Sequence, residues 1–86
     1  MKSYSVEIST TAEKQLRKLN RVELLRVVGA IQQLAHNPFP HGFRKLTGYD
    51  DLFRIRVGTF RVLYSVEKAR LVVVVLKVGH RKDVYR

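Results

Sequence analysis

The chain has no cysteine, so a disulfide framework, a thiolate metal site and a cysteine nucleophile are all excluded. Carboxylates are scarce, with seven Asp and Glu among 86 residues. The one adjacent pair, Asp50-Asp51, has the composition of a turn and not of the paired acids used in glycoside or two-metal phosphoryl chemistry. The five glycines are scattered among turn-like segments and form no phosphate-cradling loop. No serine sits in a nucleophile elbow. The three histidines, His36, His41 and His80, have no carboxylate or second histidine at ligand spacing, so no metal and no cofactor is expected. The longest apolar run, Leu71–Leu76, falls far short of the roughly 20 residues that span a bilayer. Residues 2–18 are amphipathic and polar, unlike a signal peptide. These absences predict a soluble, cytoplasmic protein with no membrane association.

What the chain has is apolar content and positive charge. Hydrophobic residues make up 45% of it, ample for a packed interior, and the length predicts a single domain over residues 1–86. Seventeen Lys and Arg against seven acids give a net charge of +10, which favours nucleic acid, an acidic protein or an anionic surface as partner. The surplus is uneven: residues 44–86 hold eleven basic and four acidic side chains, residues 1–43 six and three. Arginine concentrated on strands points to binding, because charges that serve only solubility favour helices and loops.

Tyr4, Val6 and Ile8 alternate with Ser3, Ser5 and Glu7, the pattern of a half-buried strand. Thr10 with Glu13 matches a capping box, predicting a helix from near Thr11 with Ala12, Leu16 and Leu19 on one face. Asn20 with Glu23 repeats that pattern ahead of an apolar stripe of Leu24, Val27, Val28, Ile31, Leu34 and Ala35, which must stop before Asn37-Pro38. The next segment is loop-rich, with Arg44-Lys45-Leu46 read as a short edge segment. Three strands follow, Leu52–Val57, Phe60–Val66 and Leu71–Val78, the last apolar on both faces and so expected inside the sheet. The predicted fold class is α+β: an N-terminal strand, a two-helix hairpin, then a three-stranded antiparallel meander, with the helices packed on one face of the sheet.

A two-residue turn at Gly58-Thr59 pairs Val57 with Phe60, Ile55 with Val62 and Arg56 with Arg61. Arg54, Arg56 and Arg61 then share one face, although like charges facing each other are destabilising. Such a face is suited to a polyanion. The tail, from Gly79 to Arg86, adds His80, Arg81, Lys82, Tyr85 and Arg86. Arginine forks hold phosphate oxygens and stabilise a pentavalent centre, and an RNA substrate supplies its own 2′-hydroxyl nucleophile. Such a reaction needs a proton acceptor and a donor. Tyr85 serves as acceptor only if guanidinium groups lower its pKa from about 10, and His80 is the more conventional shuttle. His36 and His41 read as structural or solvated. Regular alternation puts His80 on the Arg61 face and Arg81 on the other, whereas a bulge at Gly79 reverses both.

Three segments, Leu52-Phe53-Arg54-Ile55-Arg56-Val57-Gly58, Phe60-Arg61-Val62-Leu63-Tyr64 and Val78-Gly79-His80-Arg81 with Val84-Tyr85, closely resemble the RelE branch of the RelE/ParE toxin superfamily. The resemblance implies a toxin of a toxin–antitoxin pair that enters the ribosomal A site and cuts mRNA without a metal, leaving a 2′,3′-cyclic phosphate. It implies that Arg61 stabilises the transition state, that Arg81 acts on the scissile phosphate or leaving group, and that Tyr85 is the base, with His80 sharing acid or base work. Arg54 and Arg56 stand where the family carries RNA-contacting lysines, and Arg44, Lys45, Lys82 and Arg86 are further phosphate-binding candidates. Arginine preserves the charge of those lysines but stays protonated. The tail between Arg81 and Tyr85 is shorter than in some members, and the C-terminal helix of others is missing. Expected partners are the ribosome, its mRNA and an acidic antitoxin that folds over the helices and the arginine face. The alternative within the superfamily is a ParE-like toxin that poisons DNA gyrase and cleaves nothing.

Overall fold

The computed structural model describes residues 3–49 and 51–80. At its centre is the hairpin of β3 (Leu52–Val57) and β4 (Phe60–Glu67). Gly58 turns the chain with φ of +61°, while Thr59 keeps a negative φ, the pattern of a type II′ turn with glycine first. The register is the expected one: Val57 opposes Phe60, Ile55 opposes Val62 and Arg56 opposes Arg61. Facing arginines cost up to about 1 kcal/mol. A one-residue slip would instead take Ile55, Phe60, Val62 and Tyr64 off the core face, at about 1.5–3 kcal/mol each. The apolar pattern wins, and the arginines are forced together on the other side.

β5 (Val72–His80) pairs antiparallel with β4 and lies inside the sheet, as its two apolar faces require. β1 (Ser5–Ile8) adds to its outer side in parallel, and β2 (Arg44–Lys45) closes the other edge against β3. The strand order is β1-β5-β4-β3-β2, so the antiparallel meander gains a parallel strand at one margin. The helices α1 (Thr10–Arg17) and α2 (Arg21–Leu34) cover one face. Ala12, Leu16, Val27, Ile31 and Leu34 pack there with Ile55, Phe60, Val62, Tyr64, Val66, Val73, Val75 and Val78.

The α2 capping box forms as expected. The Asn20 Oδ1 accepts from the Glu23 amide at 2.8 Å, and the Glu23 carboxylate accepts from the Asn20 amide at 3.3 Å. The α1 cap differs from expectation: Ser9, not Thr10, is the N-cap, its Oγ accepting from the Ala12 amide at 3.0 Å. Ser9 prevails because it is also fixed to the sheet, its hydroxyl donating to the Leu76 carbonyl at 2.8 Å. Glu13 is thereby released to pair with Arg17 along the helix.

That contact marks the irregularity of β5. The β4–β5 register shifts between Leu63 and Tyr64: Leu63 opposes Lys77 and Tyr64 opposes Val75, leaving Leu76 as the extra residue. β1 ends at Ile8, so backbone groups of β5 beyond Val75 lack a strand on that side. α1 supplies partners instead. The Ser9 hydroxyl, just ahead of α1, donates to the Leu76 carbonyl, and the Gln15 Oε1 accepts from the Val78 amide at 2.6 Å. The bulge therefore lies three residues before Gly79, where the sequence had suggested one.

Candidate nucleic-acid interface

Register places four arginines side by side. Arg44 on β2 opposes Arg54 on β3, Arg56 lies two residues further along β3, and Arg61 on β4 opposes Arg56. Directly opposed residues share a face, as do alternate ones, so the four form one track across three strands. Arg44 and Arg56 are exposed, Arg54 is half-buried and Arg61 is buried at 7% exposure. Partial burial first, and then the charges of Arg44 and Arg56, hold Arg54 below the ordinary arginine value, though a guanidinium remains charged at any physiological pH. Neighbouring cations that raise one another's energy are relieved by an anion with several oxygens.

β5 extends the track. Gly79 opposes Arg61 and Lys77 opposes Leu63, so Lys77 is the diagonal neighbour of Arg61 on the same face. The sequence reading missed Lys77; the signal available was a lone cation in an otherwise apolar strand. Among the described residues, the acids of this face lie away from the track by register: Glu7 beside Val74, and Glu67 beside Val72. Glu67 is also held by Arg70 at 2.9 Å.

Two expected site residues lie elsewhere. His80, placed on the Arg61 face by regular alternation, instead opposes Phe60 and stacks on its ring, with centroids 4.6 Å apart. The bulge at Leu76 advances the strand by one residue and so turns His80 to the helix-covered face. Lys45 opposes Phe53 on that same side, beside Phe39 and Phe43; successive residues of a strand point to opposite faces, so it cannot join Arg44. Arg81, Lys82, Tyr85 and Arg86 lie outside the described residues.

A family model for the ParE toxin of type II toxin–antitoxin systems, parDE, matches residues 6–85. The chain belongs to this toxin family. The toxin is 39% identical to toxin RelG of Mycobacterium tuberculosis, over 96% of this chain and 97% of that protein. Its structure is similar to that in the archaeal RelE–RelB complex of Pyrococcus horikoshii, with a TM-score of 0.83 and 31% identity over 95% of this chain and 99% of that one. It is equally similar to that in the M. tuberculosis toxin–antitoxin complex RelBE2, with a TM-score of 0.83 and 34% identity over 96% and 97% of the two chains. The RelE resemblance of the hairpin and tail motifs thus holds across the toxin's length.

Beside the track, at the edge of β3, opens a cleft of about 510 Å³ whose lining includes all four arginines, His41 and Gln33. His41, read from sequence as structural or solvated, is thus brought to the arginines, while His80 is not. The loop that carries it is built firmly. Pro40 to Phe43 form a turn closed by the Phe43 amide donating to the Pro40 carbonyl at 3.0 Å. Gly42 follows His41 with φ of +89°, the positive third position of a type II turn. Phe39 and Phe43 contact Phe53 with ring centroids 5.1 and 6.0 Å apart. The buried Tyr64 hydroxyl donates to the Pro38 carbonyl at 2.6 Å, and burial pushes that phenol up, so it stays neutral. Among the described residues, no helix is long and apolar enough to cross a membrane.

Proposed function

We propose that residues 1–86 act as one toxin domain and that the toxin is a translation-dependent endoribonuclease, cutting mRNA in the ribosomal A site. The observation that carries this reading is the track of Arg44, Arg54, Arg56 and Arg61 on one sheet face. Such a face is organised for consecutive phosphates, and a ribosome-bound message presents them on a single strand. The substrate's 2′-hydroxyl loses its proton to a base, its oxygen bonds to the adjacent phosphorus, and the bond to the 5′-oxygen breaks as that oxygen takes up a proton. The products are a 2′,3′-cyclic phosphate and a 5′-hydroxyl. Arg61, buried in the track, stabilises the charge of the pentavalent centre, while Arg44, Arg54 and Arg56 hold flanking phosphates. Arg81 is assigned to the leaving group and Tyr85 to the base, both by family resemblance. With charge supplied by guanidinium groups, the step requires no metal or cofactor. His80, stacked on Phe60, has no part in this scheme.

The partner that restrains the toxin is an acidic antitoxin. The M. tuberculosis relative is seen in a toxin–antitoxin complex and the P. horikoshii relative in a RelE–RelB complex, and the net charge of +10 suits an acidic chain. The test of function is transcript-end mapping after brief induction, comparing the parent with Arg61→Ala. New ends within translated codons are expected for the parent, and at least a hundredfold fewer for the variant, with circular dichroism showing the same fold. Equal cutting by both sinks the assignment. The ParE name of the matching family model favours a second reading, gyrase poisoning. Intact transcripts with inhibited supercoiling would establish that one in place of cleavage.

A further inference from the structure

We propose that the cleft at the edge of β3 is a nucleobase subsite, and that His41 and Gln33 read the base of a nucleotide whose phosphate lies on the arginine track. The proposal rests on the RNA-cutting reading and extends it to sequence preference. Its first support is position. β2 contains only Arg44 and Lys45, opposing Arg54 and Phe53, so the rest of β3 has no strand beyond it among the described residues, and a cleft forms there between β3 and α2. Arg54 and Arg56 line the same cleft, so a nucleotide with its phosphate on these arginines has its base within reach of the recess. The volume of about 510 Å³ falls in the range of small-ligand sites.

The second support is chemistry. Among the described residues, and apart from the arginines, the side chains with hydrogen-bonding groups on this lining are His41 and Gln33. Among the described residues neither side chain has a hydrogen-bond partner, whereas Asn37, nearby in the chain, uses its carboxamide to accept from the Phe39 amide at 3.1 Å. A carboxamide presents a donor and an acceptor together and an imidazole one of each, the groups that discriminate base edges. Ala30, one turn before Gln33 on α2, lines the same cleft with only a methyl group.

The third support is rigidity. Base discrimination is sharper when the reading groups are carried on a fixed backbone. His41 sits in a closed turn between Phe39 and Phe43, which lean on Phe53 and on each other at 5.3 Å, and the loop is tied to the sheet by the Tyr64 hydroxyl. Gln33 projects from a capped helix. Both readers are therefore built on fixed supports.

The experiment uses the full-length toxin and four fluorescent RNA oligonucleotides, 2′-O-methylated against cleavage and differing only at one central base. Binding is followed by anisotropy over a series of salt concentrations. For the parent, affinities should spread about fivefold or more among the four bases. His41→Ala and Gln33→Ala should each narrow that spread, while the slope of log affinity against log salt, which counts phosphate contacts, stays unchanged. Arg56→Ala should do the reverse, lowering the slope and keeping the spread. Salt-dependent binding without a base-dependent spread, or a spread that both variants retain, overturns the subsite and leaves the RNA reading standing. No salt-dependent RNA binding by the parent overturns both.

Discussion

Lys77 and Lys45 are two cations of equal charge whose roles are separated by which way a strand turns. Lys77 opposes Leu63 on the arginine face, and Lys45 opposes Phe53 on the other. If the track holds RNA phosphates, Lys77→Ala should reduce the salt slope of single-stranded RNA binding by about 0.7, the value of one lost phosphate contact. Lys45→Ala should leave the slope unchanged. Equal losses would mean that binding follows net charge and no particular face. Arg54, Arg56 and Arg61 were legible as one face because a two-residue turn and strict alternation fix them. Lys77, His80 and Lys45 were not, since each depends on an irregularity or a strand end. His41 was illegible for another reason: a loop carries no periodicity from which to read its neighbours.

At the scale of elements, the decisive feature is the joint between α1 and β5. Ser9 caps the helix and holds the bulged Leu76 carbonyl, and Gln15 takes the Val78 amide. One side chain thus starts a helix and sets the phase of the strand end that carries Lys77 and Gly79. Ser9→Ala should destabilise the toxin by about 1–2 kcal/mol in urea unfolding, the loss of a cap. Thr10→Ala, at the position the sequence pattern nominated, should stay within about 0.5 kcal/mol. A larger loss at Thr10 would return the cap to it. Thr10 with Glu13 and Asn20 with Glu23 both carry a cap pattern in sequence, but at the first helix the preceding hydroxyl of Ser9 takes the cap. The winner is decided by a hydrogen bond to a residue 67 positions away.

For the molecule as a whole, the charge of +10 opposes compaction and is relieved by any polyanion that binds the native state. Short single-stranded RNA at about 100 times its dissociation constant should add about 2.7 kcal/mol of stability, raising the melting temperature. That gain should shrink as monovalent salt rises, because phosphate contacts release counterions. A melting temperature indifferent to RNA at low salt would count against the track as a polyanion site.

The sequence by itself determined the helical hairpin, the β3–β4 register and the gathering of three arginines on one face. Those follow from local caps, a turn type and the burial of alternate apolar side chains, all written within a few residues of one another. Only the tertiary structure decided that β1 joins in parallel, that β5 bulges at Leu76, that His80 faces away and that His41 meets the arginines. Each of these depends on hydrogen bonds or packing between segments far apart in the chain, where no local pattern records the partner.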